Sequence, residues 1–415
     1  MSTGRSALRF GFIALSDCAP LVVAAEKGFF DGEGLRVELS REVSWANIRD
    51  KVAMGALDGA HMLAPLPLAA NLGISGEPTR MIAPLSLNLN GSAITVSTAL
   101  ANEMRGSAPD AMAVRPRLGS AIKAIVTTRQ AAGAGPLTFA VVFPFSIHNY
   151  QLRYWLAAAG VDPDRDVRIV VTPPARMTAR LAQGDIDGFC VGAPWNARAV
   201  ADGHGEILIH ASEFWNAGPD KVFGLTEAWA EQNPETLTAI LRALIQAGVW
   251  ADEPANRPEL AAILSHPRYI GAPEAVVAKS LAGAAGDASE GQPDDIIYYR
   301  HAAGFPWRSH AVWFLSQMIR WGQASSDIDI AAVASSAYRP DLYRAAAQDL
   351  GVPAPIVDEK VEGLHSSAWM LDEATTPIAM SPDLFFDHRP FDAAQPLRYA
   401  ADADISRARN SGGDA

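Results

Sequence analysis

A chain of 415 residues exceeds the about 100–200 residues of one ordinary domain and predicts two compact lobes, each able to bury its own core. Hydrophobic residues make up 49% and charged residues 19%, which excludes a disordered or fibrous chain. The 34 lysines and arginines stand against 46 aspartates and glutamates; the resulting formal net charge of −12 repels phosphate backbones and speaks against direct nucleic-acid binding.

The opening MSTGRSALRFGFIALSD has an apolar run broken by Arg9, Gly11 and Asp17, too short and interrupted for a secretory leader, so a cytoplasmic start is expected. No stretch reaches the roughly 20 apolar residues of a membrane helix, and no membrane partner is expected. Cys18 and Cys190 cannot build a disulfide framework or a zinc site by themselves and are read as two reduced thiols.

Leu8 to Leu15 reads as a buried strand, and Ala19 to Phe30 as a helix stopped by Gly32 and Gly34 before a second strand, LRVELS. Ser44 is placed to cap a helix starting near Trp45 and closing at Gly55. Gly59 to Leu63 is a short strand, Pro65 to Asn71 a helix, and Arg80 to Leu87 and Ala93 to Ser97 are strands. The stretch from Thr98 to Pro116, helical only in ALANEMRG, is taken as the crossing into a second lobe.

From Arg117 the alternation repeats: a helix to about Gln130, strand LTFAVVF, helix His148 to Ala159, strand VRIVV, helix MTARLAQG and strand GFCVG. A helix at Trp195 to Ala201 and an ILI strand follow, and Lys221 to Thr226 is the strand that returns the chain to the first lobe. What comes after reads as mostly helical, including Pro234 to Ala251 and Ala255 to Leu264. The predicted architecture is α/β with two lobes: residues 1–97 begin lobe one, 98–220 form lobe two, 221–398 hold the return and a helical C-terminal part, and 399–415 are a flexible tail.

Known catalytic signatures are missing from the sequence: no G-x-S-x-G elbow, H-E-x-x-H, Walker loop or C-x-x-C is present, so an enzyme is not expected. Two lobes create a cleft, and four residues fall where cleft loops are expected: Trp45 and His148 at helix starts, Ser92 after Asn90-Gly91, and Lys221 on the return strand. Free N–H groups at helix starts, a cation and further donors suit a small oxyanion. Each residue also has an ordinary account: Trp45 as packing, His148 as a satisfied structural histidine, Lys221 as a solvated cation. Neither the His301 and His310 pair nor Asp294 and Asp295 has metal-ligand spacing, and no metal or cofactor is expected. The aromatic stretch around Trp307, Trp313 and Trp321 fits either a partner surface or core packing, and core packing is preferred.

The segments SDCAPLVVAAEKGFF, SWANIRDKVAMG, GAHMLAPLPLA, FPFSIHNYQLRYW, CVGAPWNARAV and DKVFGLTEAWAEQNPETLTAILRAL, in this order across residues 8 to 390, resemble the nitrate- and bicarbonate-binding proteins of ABC transporters. The resemblance implies a two-lobed, type II periplasmic-binding-protein-like fold, with a discontinuous first lobe, that closes on a small anion. It places the anion at Trp45, Ser92, His148 and Lys221. After Asn-Gly that family commonly has glutamine, so the shorter Ser92 needs a bridging water to reach the anion. Lysine at position 221 resembles the nitrate binders, because nitrate offers only acceptors, whereas the bicarbonate relatives carry a carboxylate there and recruit a cation.

The opening also resembles the cytoplasmic nitrate/nitrite sensors of the family, the NasS type, rather than its transport members. That resemblance implies that nitrate or nitrite releases an RNA-binding antiterminator of NasT type, which switches on nitrate assimilation genes. Two readings compete with it: a solute-binding component of a nitrate or bicarbonate ABC transporter, and an enzyme, for which His148 and Cys18 are the candidates but have no evident activating partner.

Overall fold

In a computed structural model, the structure describes residues 7–74, 76–107, 118–282 and 296–407. Two mixed sheets organise it. The first contains β1 (Leu8–Phe12), β2 (Val37–Arg41), β3 (Gly59–Leu63), β4 (Met81–Asn90), β10 (Pro219–Thr226) and β11 (Ile296–Ile297), in the order β11-β4-β10-β3-β1-β2. The second contains β5 (Ser92–Ser97), β6 (Thr138–Val141), β7 (Arg168–Val171), β8 (Gly188–Gly192) and β9 (Gly205–His210), in the order β7-β6-β8-β5-β9. β1 runs parallel to β2 and β3, and β6 runs parallel to β7 and β8, as expected of strands joined by crossover helices. β5 and β10 are antiparallel to their neighbours, one in each sheet. This is the two-lobed α/β architecture expected of the sequence.

The strand at 92–97, assigned above to the first lobe, lies in the second sheet, where Ser92 faces Gly192 and Ala93 faces Val191. The chain changes lobes at Asn90 and Gly91, both with positive φ (60° and 87°), rather than in the 98–116 stretch. Helical Thr98–Ser107 follows β5 directly, and 108–117 lie outside the described residues, as do Asp294 and Asp295. The Ala19 to Phe30 helix is also two pieces: Ala19–Glu26 ends at Lys27, and Gly28, at φ 74°, redirects the chain before Phe29–Gly32.

β3, a central strand between β1 and β10, is buried along its whole length. The aromatic stretch is core: helix Arg308–Arg320 carries Trp313 at 0% exposure, with Trp307 and Trp321 also buried. Between Leu350 and Pro396 the C-terminal part is not helical but loop-rich, with one hairpin of β12 (Trp369–Leu371) and β13 (Ile378–Met380). This part touches both lobes. The Tyr338 hydroxyl donates to Ala64 O at 2.9 Å in the first, and Tyr154 of the second donates to Asp387 at 2.7 Å.

The expected flexible tail is packed as far as it is described. Tyr399 is buried with its hydroxyl 2.9 Å from that of Tyr154, and Arg407 donates from its backbone to Arg320 O and from its side chain to Asp162, at 2.7 and 2.6 Å. Residues 408–415 lie outside the described ones.

Candidate functional site

Two helix starts and two strands of the first sheet aim at one point between the lobes. Ser44 Oγ accepts the Asn47 N–H at 3.2 Å and so begins helix Trp45–Ala53, making Trp45 its first residue. Ser146 does the same for helix Ile147–Ala158, accepting from Asn149 at 3.1 Å and placing His148 in the first turn. Lys221 sits on β10 between Leu63 of β3 and Asn88 of β4. Asp17 follows β1 in a short turn, and His61 is the middle residue of β3.

These side chains form one buried cluster. Lys221 Nζ lies 2.7 Å from Asp17 Oδ2 and 2.5 Å from Asp220 Oδ1. His61 Nε2 is 2.8 Å from Asp17 Oδ1, and His148 Nε2 is 3.9 Å from Asp220 Oδ1. The Trp45 ring packs edge-on against His61 at 5.2 Å, with Lys221 Nζ 5.7 Å from its centroid. None of these six residues exceeds 1% exposure, so a solute reaches them only when the lobes part. Two contacts hold the lobes together beside the cluster: Ser16 N–H donates to Ala193 O at 2.8 Å, and the Trp195 indole donates to Ala14 O at 3.0 Å.

The protonation pattern follows from the geometry. Ile13 N–H donates to His61 Nδ1 at 3.3 Å, so the ring proton sits on Nε2 and faces Asp17. Burial lowers the His61 pKa, partly offset by Asp17. For Asp17 burial works upward, yet Lys221 and His61 overcome it and hold the carboxyl well below the usual range. Asp220 has the opposite balance. Burial outweighs the attraction of Lys221, Asp17 adds repulsion, and the carboxyl is pushed up to about 7. Burial lowers Lys221, but the two carboxylates more than restore it and keep the ammonium charged. Burial, with Lys221 adding to it, drops His148 well below the ordinary histidine range and leaves a neutral ring.

Apart from His61 Nε2, which faces Asp17 as an ion pair, three potential donors here lack a partner among the described residues: the Trp45 indole N–H and both ring nitrogens of His148, of which the neutral ring protonates one. Asp220 Oδ2 is unpartnered as well. Buried polar atoms are ordinarily satisfied, so this concentration marks a place built for something else. Gly192 from the second lobe closes the wall: a Cβ there would meet Asp17 Oδ2 at 3.0 Å and His148 Nε2 at 3.7 Å, in the space the orphan groups face. A small oxyanion, all acceptors, matches those donors. Covalent chemistry is poorly served, because burial pushes both the Cys18 and Cys190 thiols up, away from thiolate.

Of the four residues expected from the sequence, Trp45, His148 and Lys221 converge. Ser92 does not reach the cluster with its hydroxyl, which donates to Gln151 Oε1 at 3.1 Å; only its register with Gly192 ties it to the site. Lys221 is neither solvated nor a lone cation: two carboxylates flank it. Asp17, His61 and Asp220 were missed, and the available signal was a single polar residue inside an apolar run, ALSDCAP for Asp17 and GAHML for His61. Among the described residues no three His, Cys, Asp or Glu side chains group as a metal site.

Comparison with known proteins places the chain in a family. The chain is 34% identical to a nitrate/nitrite binding protein, NrtA, of Synechococcus elongatus, over 94% of this chain and 84% of the relative. It is also 34% identical to the nitrate import ATP-binding protein NrtC of Synechocystis, over 88% of this chain and 52% of that protein. It spans about half the length of the relatives named as nitrate import and bicarbonate transport ATP-binding proteins. Its fold matches the crystal structure of the periplasmic nitrate-binding protein NrtA of Synechocystis with a TM-score of 0.80 at 30% identity, covering 96% of this chain and 98% of that one. With residues 2–265 matching its pattern, the chain belongs to the NMT1-like family.

Proposed function

We propose that this protein binds nitrate, with nitrite as a second ligand, at the buried cluster between its lobes and acts as a regulatory sensor. The observation that carries the reading is the set of unpartnered donors on Trp45 and His148 around the Lys221 ammonium, in a chain whose relatives are named for nitrate. Nitrate has three acceptor oxygens and no proton to give, so donors alone satisfy it. Relatives are named for bicarbonate as well; what favours nitrate in this reading is the set of unpartnered donors on Trp45 and His148, which suits an oxyanion that brings no hydroxyl. Calorimetric titration with nitrate, nitrite and bicarbonate tests this. Saturable nitrate binding stronger than bicarbonate binding supports it, and the reverse order refutes it.

In the regulatory part of the proposal the protein is of the NasS type and works in the cytoplasm, where its ligand-free form holds an RNA-binding antiterminator of NasT type that nitrate releases. Two observations support a protein partner. The net charge of −12 disfavours RNA and favours a complementary protein surface. The same module also forms about half of a relative named for ATP binding, so it is not confined to free-standing binding proteins. By linkage, nitrate and the antiterminator weaken each other's binding by the same factor. Affinities measured with and without the partner check this, and equal values refute it. A second reading, the binding component of a nitrate importer, draws on the near full-length match to a periplasmic nitrate-binding protein. Cell fractionation separates the two.

A further inference from the structure

The junction cluster has an imbalance that a monoanion makes worse. Its one lysine faces two carboxylates, and Asp17 alone neutralises it: Asp17 Oδ2 accepts from Lys221 at 2.7 Å, while Asp17 Oδ1 faces the protonated Nε2 of His61 at 2.8 Å. Asp17 is therefore held ionised from two sides. Asp220 shares the lysine, through Oδ1, and has the neutral Asn88 amide as its further neighbour, while its Oδ2 is buried without a hydrogen bond. An anion taking up the free donors of Trp45 and His148 arrives close to Asp220, since His148 Nε2 is 3.9 Å from Oδ1. Two adjacent like charges sealed from solvent repel strongly, and a proton is the simplest remedy.

We infer that the anion enters together with one proton, which Asp220 carries. This rests on the nitrate reading and adds to it a coupling between ligand affinity and pH. The step is balanced without any other reactant: one nitrate and one proton from the buffer join the ligand-free site, no covalent bond beyond the O–H forms, and the neutral carboxyl gains a hydrogen to donate.

The groups facing Asp220 leave it as the place for that proton. On its own strand is Lys221, already charged. From the turn after β1 comes Asp17, held ionised, and from β3 comes His61, whose Nδ1 is occupied by the Ile13 N–H. Helix Ile147–Ala158 contributes His148, which burial and Lys221 keep neutral, and β8 contributes Cys190, whose thiol burial keeps protonated. Asp220, raised by burial, is the group within reach of neutral pH.

The same carboxyl sets specificity. Protonated, Asp220 is a donor and matches an oxyanion that brings no hydroxyl; ionised, it is an acceptor and matches one that does.

The test is nitrate calorimetry on the full chain at pH 6 and pH 8, each in two non-competing buffers of different ionisation enthalpy. The expected result is about one proton taken up per nitrate at pH 8, little uptake at pH 6, and affinity falling up to about tenfold per pH unit on the alkaline side. In Asp220→Asn, uptake and pH dependence vanish. Should that variant not fold, an infrared difference spectrum of the unmodified protein serves, with a protonated carboxyl band appearing when nitrate binds. Nitrate binding without proton uptake at pH 8 overturns this inference alone. Uptake that persists in a folded Asp220→Asn protein overturns the assignment to Asp220. No nitrate binding at either pH overturns the nitrate reading and the coupling with it.

Discussion

The molecule contains two buried ionic clusters of the same composition, and only one looks like a ligand site. At the lobe junction are two carboxylates, a lysine and two histidines: Asp17, Asp220, Lys221, His61 and His148. The C-terminal part has Glu362, Asp383, Lys360, His310 and His365. There, Glu362 accepts from Ser309 Oγ at 2.7 Å, pairs with Lys360, and has His310 Nε2 3.4 Å away. Burial would raise Glu362, but Lys360 and His310 hold it at about 2. Asp383 accepts the His365 backbone N–H at 2.7 Å and lies 3.6 Å from Lys360. Each acid has a donor besides the lysine, and the cluster pins the loops of residues 355–391 to helix Arg308–Arg320. At the junction Asp220 Oδ2 and both His148 ring nitrogens are without a hydrogen bond, against His310 Nε2 in the C-terminal cluster, and the junction groups come from both lobes. Residue types alone do not make a binding site; unsatisfied valences at a place that can open do.

Replacing the two lysines is the strongest way to break this comparison. Lys221→Met leaves Asp220 buried without a cation and Asp17 with His61 alone, and is expected to lower stability by about 3–5 kcal/mol and to abolish nitrate binding, a loss of at least about 100-fold. Lys360→Met is expected to cost similar stability with nitrate affinity unchanged in the protein that remains folded. Denaturant unfolding and calorimetry, run together on both variants, check the pair.

Acid unfolding sharpens the contrast next. Because Glu362 titrates near 2 in the fold and near 4.5 ordinarily, its stabilisation is complete above about pH 4.5 and is lost as pH falls through about 2. At 1.36 kcal/mol per unit the contribution is about 3 kcal/mol, and Glu362→Gln flattens that part of the stability–pH curve. Asp220 acts with opposite sign. Its raised carboxyl makes the ligand-free fold progressively less stable as pH rises from about 4 to about 7, and Asp220→Asn removes that decline. Thermal unfolding across the pH range, without nitrate, checks both slopes.

Two smaller changes concern donors. Trp45→Phe keeps the ring against His61 and deletes the unpartnered indole N–H; nitrate affinity is expected to fall about tenfold, near 1.4 kcal/mol, with little change in stability. Ser92→Ala is expected to weaken nitrate by no more than about threefold, because its hydroxyl is engaged by Gln151 rather than aimed at the cluster. A loss as large as that of Trp45→Phe would instead put Ser92 in contact with the anion. Titrations at one fixed pH give both ratios.

Local chemistry was the part of this fold most open to reading. The Ser44 cap, the GAHML strand and the strand carrying Lys221 follow from a hydroxyl, an apolar run and alternation, and all three stand in the structure. Which sheet a strand joins is not a local property. Residues 92–97 look like any strand of the first lobe, and the turn at Asn90-Gly91 that carries them across is two residues long. The C-terminal loops were missed because they are held by Glu362, Lys360 and Asp383, pairings between residues that no periodicity announces.

The site divided in the same way. Trp45 and His148 were legible through the helix starts they occupy, and Lys221 through its place on a return strand. Asp17 and His61 were not, because a single polar residue in a buried run gains meaning only once its partner from another strand is beside it. Asp220 was hidden next to Lys221, where it reads as an ordinary strand beginning. These three acids and bases turn a predicted lone cation into a balanced cluster.

The most direct test of the central claim is calorimetric titration of nitrate into the intact protein and into Lys221→Met at pH 6.5, with thermal unfolding confirming that both are folded. The account predicts saturable binding of one nitrate per chain that is lost in the variant. Equal nitrate affinity in the two folded proteins, or no nitrate binding by the intact one, would contradict it.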